Sequence, residues 1–203
     1  MHDTIVFDLG GVLIDWNPRY YYRNRFKSKE AMEYFLHNIA TNEWNEEQDG
    51  GRLISDATAL LKTQFPHYTS EIEDYYTNWV HMLNGTFDGS VEILKSLIEN
   101  PKYKVYSLTN WSAETWPKAT KIFEFLNWFD GIIVSGQEKM KKPNREIFDL
   151  LIDRFQLDIP KTIFIDDNEQ NVIAARSMGI PTIHFRDADQ LKEELLAMQV
   201  ELT

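Results

Sequence analysis

Four short apolar runs each give way to side chains that can do chemistry. Thr4–Phe7 is followed by Asp8, and Lys104–Leu108 by Thr109 and Asn110. Gly131–Val134 leads into "SGQEKMKKPN", with Lys139, Lys141 and Lys142, and Thr162–Ile165 leads into Asp166 and Asp167. Taken singly, these are turn residues, helix caps and solvated lysines. Gathered in one place they have a different meaning. Like charges ~4 Å apart repel by about 4 kcal/mol per pair at an effective dielectric near 20, so three carboxylates meet only around a cation. A hard divalent ion that prefers oxygen, most simply Mg²⁺, meets that need. One oxygen of Asp8 then holds the metal while the other attacks an electrophile. A phosphoryl group suits such a site. Its oxygens can take the metal, the Thr109 hydroxyl, a lysine ammonium and the backbone N–H groups of the Leu9–Gly11 turn. Attack by a carboxylate forms a covalent aspartyl-phosphate and splits one hard displacement into two.

For these residues to meet, the runs must be neighbouring strands whose carboxyl ends lie on one side. None of the four alternates between apolar and polar, which is the pattern of strands buried on both faces. Pro181–Phe185 is a fifth, weaker candidate. Helical spacing appears between them, over Ala113–Leu126, Arg145–Phe155 and Asn168–Met178. Asn144 and Asn168 suit N-cap positions, and Gly179 with Pro181 stops the last helix. The alternation predicts an α/β fold, a doubly wound parallel Rossmann-like sheet, with ligands bound beyond the carboxyl ends of its strands. Residues 17–83 break the rhythm. They hold aromatic-rich helical segments at Tyr20–Phe26, Ser28–Ile39, Ser55–Phe65 and Ser70–Met82, the last with a capping-box pattern of Ser70 and Glu73. This block is expected to be an inserted small helical cap, with residues 1–16 and 84–203 forming the catalytic core.

Composition narrows the partners. The 203 residues are 43% hydrophobic, enough for a real core. They carry 21 basic against 32 acidic side chains, a net charge of −11, which repels phosphate backbones and anionic lipid heads. No apolar run approaches the roughly 20 residues of a membrane span. Cysteine is absent, and the first strand begins within a few residues of Met1 with no leader pattern. The expectation is a cytoplasmic protein, a monomer or weak homodimer, that binds a small phosphorylated molecule and neither nucleic acid nor membrane. The five histidines show no metal-binding spacing.

In order and kind, these motifs resemble the haloacid dehalogenase-like hydrolase superfamily. The resemblance rests on "FDLGGVL", "SLTN", the lysine of "KMKKPN" and "FIDDNEQNVIAARSMG", and it spans essentially the whole chain. It is closest to the branch with a small helical cap after the first motif. The resemblance implies a Mg²⁺-dependent phosphatase with Asp8 as nucleophile and metal ligand. It implies the Gly10 carbonyl, Asp166 and Asp167 as further ligands to the metal. Thr109 and Asn110 are implied to bind phosphate and Lys142 to balance charge, with Lys139 and Lys141 on the surface.

Gly10 departs from the pattern. Phosphatases of this superfamily usually carry a second Asp there, which protonates the leaving oxygen and later activates water. Such help is worth roughly 10² to 10⁴ in rate. Three readings follow: a phosphatase whose substrate leaves easily, a metal-independent 2-haloacid dehalogenase, or a catalytically weak binding protein. The first favours anomeric sugar phosphates, and the "DLG-x-V" form is similar to a bacterial branch that includes an α-D-glucose-1-phosphate phosphatase. The Asp166–Asp167 pair opposes the second. Asp15 is expected to cap the first cap helix rather than replace the missing acid. Specificity is expected from the cap. Trp16 and Arg19 stand at its hinge. Asn42–Ala57 is expected to put a Gly-Gly turn between two helices, as a cap loop that points Trp44, Asn45 or Arg52 at the site, Arg52 being suited to an anionic substrate. The Tyr20–Tyr22 run and Trp79 are expected in the cap core.

Overall fold

The computed structural model describes residues 2–202. Its strands are β1 (Thr4–Phe7), β2 (Ile14–Trp16), β3 (Leu83–Thr86), β4 (Lys104–Thr109), β5 (Gly131–Val134), β6 (Thr162–Asp166) and β7 (Thr182–His184). Five of them form one sheet in the order β5-β4-β1-β6-β7, with every pair parallel. Every residue of β1 and β6 is buried, which is why these runs are apolar without alternation. Ile5, Phe7 and Ile165 pack to one side of the sheet, and Val6 and Phe164 to the other. The chain leaves β1 for β4 and β5 on one side, then returns to β6 and β7 on the other. The ends of β1, β4 and β6 therefore flank the point where strand order reverses, the position at which such sheets bind ligands.

The antiparallel ribbon of β2 and β3 brackets a helical region. That region contains α1 (Arg19–Tyr22), α2 (Lys29–Asn38), α3 (Asn42–Asp49), α4 (Ile54–Gln64) and α5 (Thr69–Thr77). Tyr22, Phe35, Ile72 and Tyr75 fill its interior and join the core on the β1 side. After the ribbon come α6 (Asp88–Glu99), α7 (Trp116–Ile122), α8 (Ser135–Glu138), α9 (Arg145–Phe155), α10 (Glu169–Ser177) and α11 (Ala188–Ala197). α6 and α11 cover one face of the sheet, α9 and α10 the other. No helix among the described residues is long and apolar enough to cross a membrane.

Several local expectations change. Ala113–Leu126 divides into α7 and a separate 3-10 turn at Glu124–Asn127. The capping box does not form. Ser70 instead accepts from Arg25, and Glu73 pairs with Lys62. Asp15 caps nothing: its carboxylate holds the Tyr20 hydroxyl and the Asn84 amide. The expected Gly-Gly turn between two helices does form, α3 and α4 flanking Gly50 and Gly51, but Trp44 and Asn45 lie on α3 and not on the loop.

Candidate active site

Register brings the acids together. Phe7 lies opposite Ile165, and the Asp8 N–H donates to the Ile165 carbonyl at 2.8 Å, so Asp8 and Asp166 leave the sheet side by side. Carboxylate oxygens of Asp8, Asp166 and Asp167 all lie within 4.8 Å of one another. The two glycines after Asp8 differ sharply. Gly11 has φ +76°, and a Cβ on it would sit 2.3 Å from Oδ2 of Asp167, so its bareness makes room for that carboxylate. A Cβ on Gly10 would meet nothing within 4 Å.

Lys142 stands between the acids. Its side chain is fully buried, with Nζ 2.9 Å from Asp8 Oδ2 and 2.7 Å from Asp166 Oδ2. Burial alone would lower its pKa; Asp166 and then Asp8 outweigh that and hold it above the ordinary lysine range. Burial pushes Asp8 up to about 8, with Lys142 opposing and Asp166 and Asp167 adding to the rise. Asp166 is fixed by the Asn168 N–H at 2.8 Å and by the Asn171 amide at 3.0 and 3.1 Å. Asn110 clamps the lysine backbone from the end of β4: its Oδ1 accepts from Lys142 N–H and its Nδ2 donates to Lys142 C=O, both at 2.9 Å. One amide N–H of Asn110, which lines the cavity, is left outside this clamp. Thr109 is buried one residue earlier, and its hydroxyl has no hydrogen-bond partner among the described residues. A buried hydroxyl left so costs about 1–3 kcal/mol, which an anionic oxygen would relieve.

The acids open into a cavity of about 280 Å³ beneath the helical region. Asp8, Gly10, Asp167, Asn110 and Trp16 line it from below, with Trp111 and Trp79, which stack edge to face at 5.5 Å. Trp79 thus serves both the cap core and the cavity wall. From above, α3 presents Asn42, Asn45, Glu46 and Asp49, spaced so that all four share one helix face. Arg52 does not reach the cavity. Its Nε donates to Gln48 Oε1 at 2.7 Å and its Nη2 to the Trp44 carbonyl at 3.0 Å, so the guanidinium is spent inside the cap. Lys141 is not a free surface lysine: it pairs with Glu46 and Glu47, each at 3.4 Å. Arg19 pairs with Glu33 at 2.6 Å and is not among the residues lining the cavity. Asp49 and Glu46 were missed by the sequence reading, although the three-, four- and seven-residue spacing from Asn42 is visible in it.

Comparison with known proteins fits this geometry. A family model described as haloacid dehalogenase-like hydrolase matches residues 2–179. The chain is 27% identical over 183 residues to a sesquiterpene phosphatase of Aspergillus oryzae, covering 90% of this chain and 89% of that protein. It is 21% identical over 182 residues to a phosphorylated carbohydrates phosphatase of Thermotoga maritima, covering 90% and 84%. Its fold is similar to the crystal structure of a mutant HAD family enzyme of Bacteroides thetaiotaomicron in complex with magnesium and inorganic phosphate. That match has a TM-score of 0.71 at 23% identity and covers 92% of this chain and 95% of the other.

Proposed function

The chain belongs to the haloacid dehalogenase-like hydrolase family, and from that premise we propose that it is a Mg²⁺-dependent phosphatase of a small phosphomonoester, acting through an aspartyl-phosphate on Asp8. One observation carries the reading: three clustered carboxylates face a single buried ammonium. The surplus of two negative charges on hard oxygen donors fits a divalent cation, held by Asp8, Asp166, Asp167 and the Gly10 carbonyl. When bound, the metal would offset charge on the phosphoryl oxygens. Asp8 attacks phosphorus in line with the leaving oxygen. Lys142 keeps the nucleophile oriented and its charge balanced, and the Thr109 hydroxyl donates to a phosphoryl oxygen. Asn110 fixes Lys142 through one amide N–H and its Oδ1, and its second N–H remains to donate to a phosphoryl oxygen from the cavity wall.

The substrate is small, because the cavity of about 280 Å³ falls just below the roughly 300–1,000 Å³ usual for ligand pockets. The polar face of α3 suits hydroxyl groups, and the rings of Trp16, Trp79 and Trp111 suit the C–H face of a sugar. A sugar phosphate fits both surfaces, in keeping with the carbohydrate phosphatase among its relatives. Phosphate release from a panel of sugar and aryl phosphates tests the reading. Release should require Mg²⁺, stop in EDTA and vanish in Asp8→Asn. Halide release from 2-haloacids that survives EDTA would overturn it.

A further inference from the structure

The site described so far lacks a proton donor for the leaving group, because position 10 is glycine. Outside the metal cluster, two carboxyl side chains line the same cavity, Glu46 and Asp49. Glu46 is engaged by Lys141 at 3.4 Å and by the Asn42 amide at 2.7 Å. Asp49 makes no ion pair among the described residues. It ends α3, and its backbone is pinned to the core, the Ser135 hydroxyl donating to its carbonyl at 2.5 Å. That hydroxyl also accepts from the Trp111 N–H at 2.9 Å, at the loop following β4.

A directed chain of hydrogen bonds sets the Asp49 carboxyl. Arg52 Nε donates to Gln48 Oε1 at 2.7 Å, and Gln48 Nε2 to the Tyr76 hydroxyl at 2.9 Å. The Tyr76 hydroxyl donates to Asn45 Oδ1 at 2.9 Å, and Asn45 Nδ2 to Asp49 Oδ2 at 3.1 Å. Gln48, Asn45 and Tyr76 are buried. Four linked donors orient one carboxyl at the cavity wall, far more apparatus than a helix terminus requires.

We infer that Asp49 is the general acid and base of this active site, supplied from the cap in place of a side chain at position 10. This rests on the phosphatase reading above. In the first step an Asp8 oxygen bonds to phosphorus and the bond to the leaving oxygen breaks. The electron pair goes to that oxygen, which takes the Asp49 proton. In the second step water attacks phosphorus, its proton passes to Asp49, and the Asp8–phosphorus bond breaks with its electrons returning to the carboxylate. Asp49 ends protonated, as it began. Its ionisation suits the task. Burial pushes it up to about 7, Glu46 adds to the rise, and the Ser112 N–H and Lys141 oppose it. The other charged groups around it are Glu47 on α3, Arg52 behind the relay, and Asp8 and Asp167 across the cavity. A leaving group then needs no special acidity, and primary sugar phosphates become substrates alongside anomeric ones.

The test compares p-nitrophenyl phosphate, whose leaving group needs no proton, with a sugar 6-phosphate, whose leaving alkoxide does. Asp49→Asn should lower kcat/KM about 10² to 10⁴-fold on the 6-phosphate and less than about 10-fold on the aryl ester. The same variant should show a burst of about one p-nitrophenol per enzyme, because water attack on the phosphoenzyme is slowed. The fall of wild-type kcat/KM above about pH 7 on the 6-phosphate should disappear. Gly10→Asp, for which the structure has space, should restore 6-phosphate turnover in the Asp49→Asn background. Equal losses on both substrates without a burst, or no loss on either, would overturn the assignment and leave the phosphatase reading intact. Wild-type protein that releases no phosphate from either ester would overturn both.

Discussion

Replacing Lys142 by methionine isolates what its charge contributes. The stem stays apolar and of similar length, so packing near the Phe164 ring, 5.6 Å from Nζ, is largely kept. What goes is an ammonium 2.9 Å from Asp8 and 2.7 Å from Asp166. At an effective dielectric near 20, each contact is worth about 6 kcal/mol of gross attraction. Desolvating the ammonium costs several kcal/mol, and removing one member of a buried pair typically leaves a net loss of about 3–5 kcal/mol. Uptake of a proton by Asp8, already pushed up to about 8, relieves part of the strain and favours the lower end. For a chain of this length each kcal/mol moves Tm by about 2–4 °C, so the variant should melt roughly 6–20 °C lower. Thermal unfolding followed by circular dichroism at pH 7 in EDTA reads this directly. Saturating Mg²⁺ should recover part of the loss, about 2.7 kcal/mol at a hundred times its Kd. A Tm unchanged within 2 °C or so, or raised, would refute the view that Lys142 holds the acids together.

Gly11→Ala should be costly at a position where its neighbour is tolerant. Its φ of +76° and the close approach of Asp167 predict about 1–2 kcal/mol of backbone strain and weaker Mg²⁺ binding by calorimetry; affinity equal to wild type would contradict this. Asp49 gives a stability prediction that is independent of turnover. Its folded pKa is raised from 3.8 to about 7, so its favourable contribution is complete below about pH 4 and is lost as pH rises through 7. Relative to wild type, Asp49→Asn should therefore gain roughly 1–3 kcal/mol in urea melts at pH 8 over its standing at pH 4, and an equal difference at both pH values would count against it. Asn110→Ala removes both clamps on the Lys142 backbone, about 0.5–1.5 kcal/mol each; kcat should fall with KM little changed, and unaltered kcat would deny Asn110 a positioning role.

The sheet was legible because its central strands are buried on both faces. Thr4–Phe7 and Thr162–Ile165 read as apolar runs without alternation, and the residue that follows each is an acid of the cluster. The lysine was not legible from spacing. Lys139, Lys141 and Lys142 look alike in sequence, and tertiary packing separates them: Lys139 adopts φ 57° beside Gly51, Lys141 pairs with the cap, and only Lys142 enters the interior. α3 was legible only as the helix before the Gly-Gly turn, because its buried residues, Asn45 and Gln48, are polar and leave no apolar period to mark which face meets the cavity. Arg52 misled for a related reason. Its partners Gln48 and Trp44 lie four and eight residues back, on a helix whose inward face hydrophobic patterning could not show.

The paired glycines after Asp8 also bear on how this enzyme can change over generations. Position 11 is frozen, since any side chain there collides with Asp167, while position 10 opens on free space with an ordinary backbone. Drift can therefore sample many residues at one site and almost none at the next. A lineage that lost its acid at position 10 lies one codon change from regaining it, with no rearrangement of the surrounding turn. In a library randomised at both positions, survivors should diversify at 10 and remain glycine at 11.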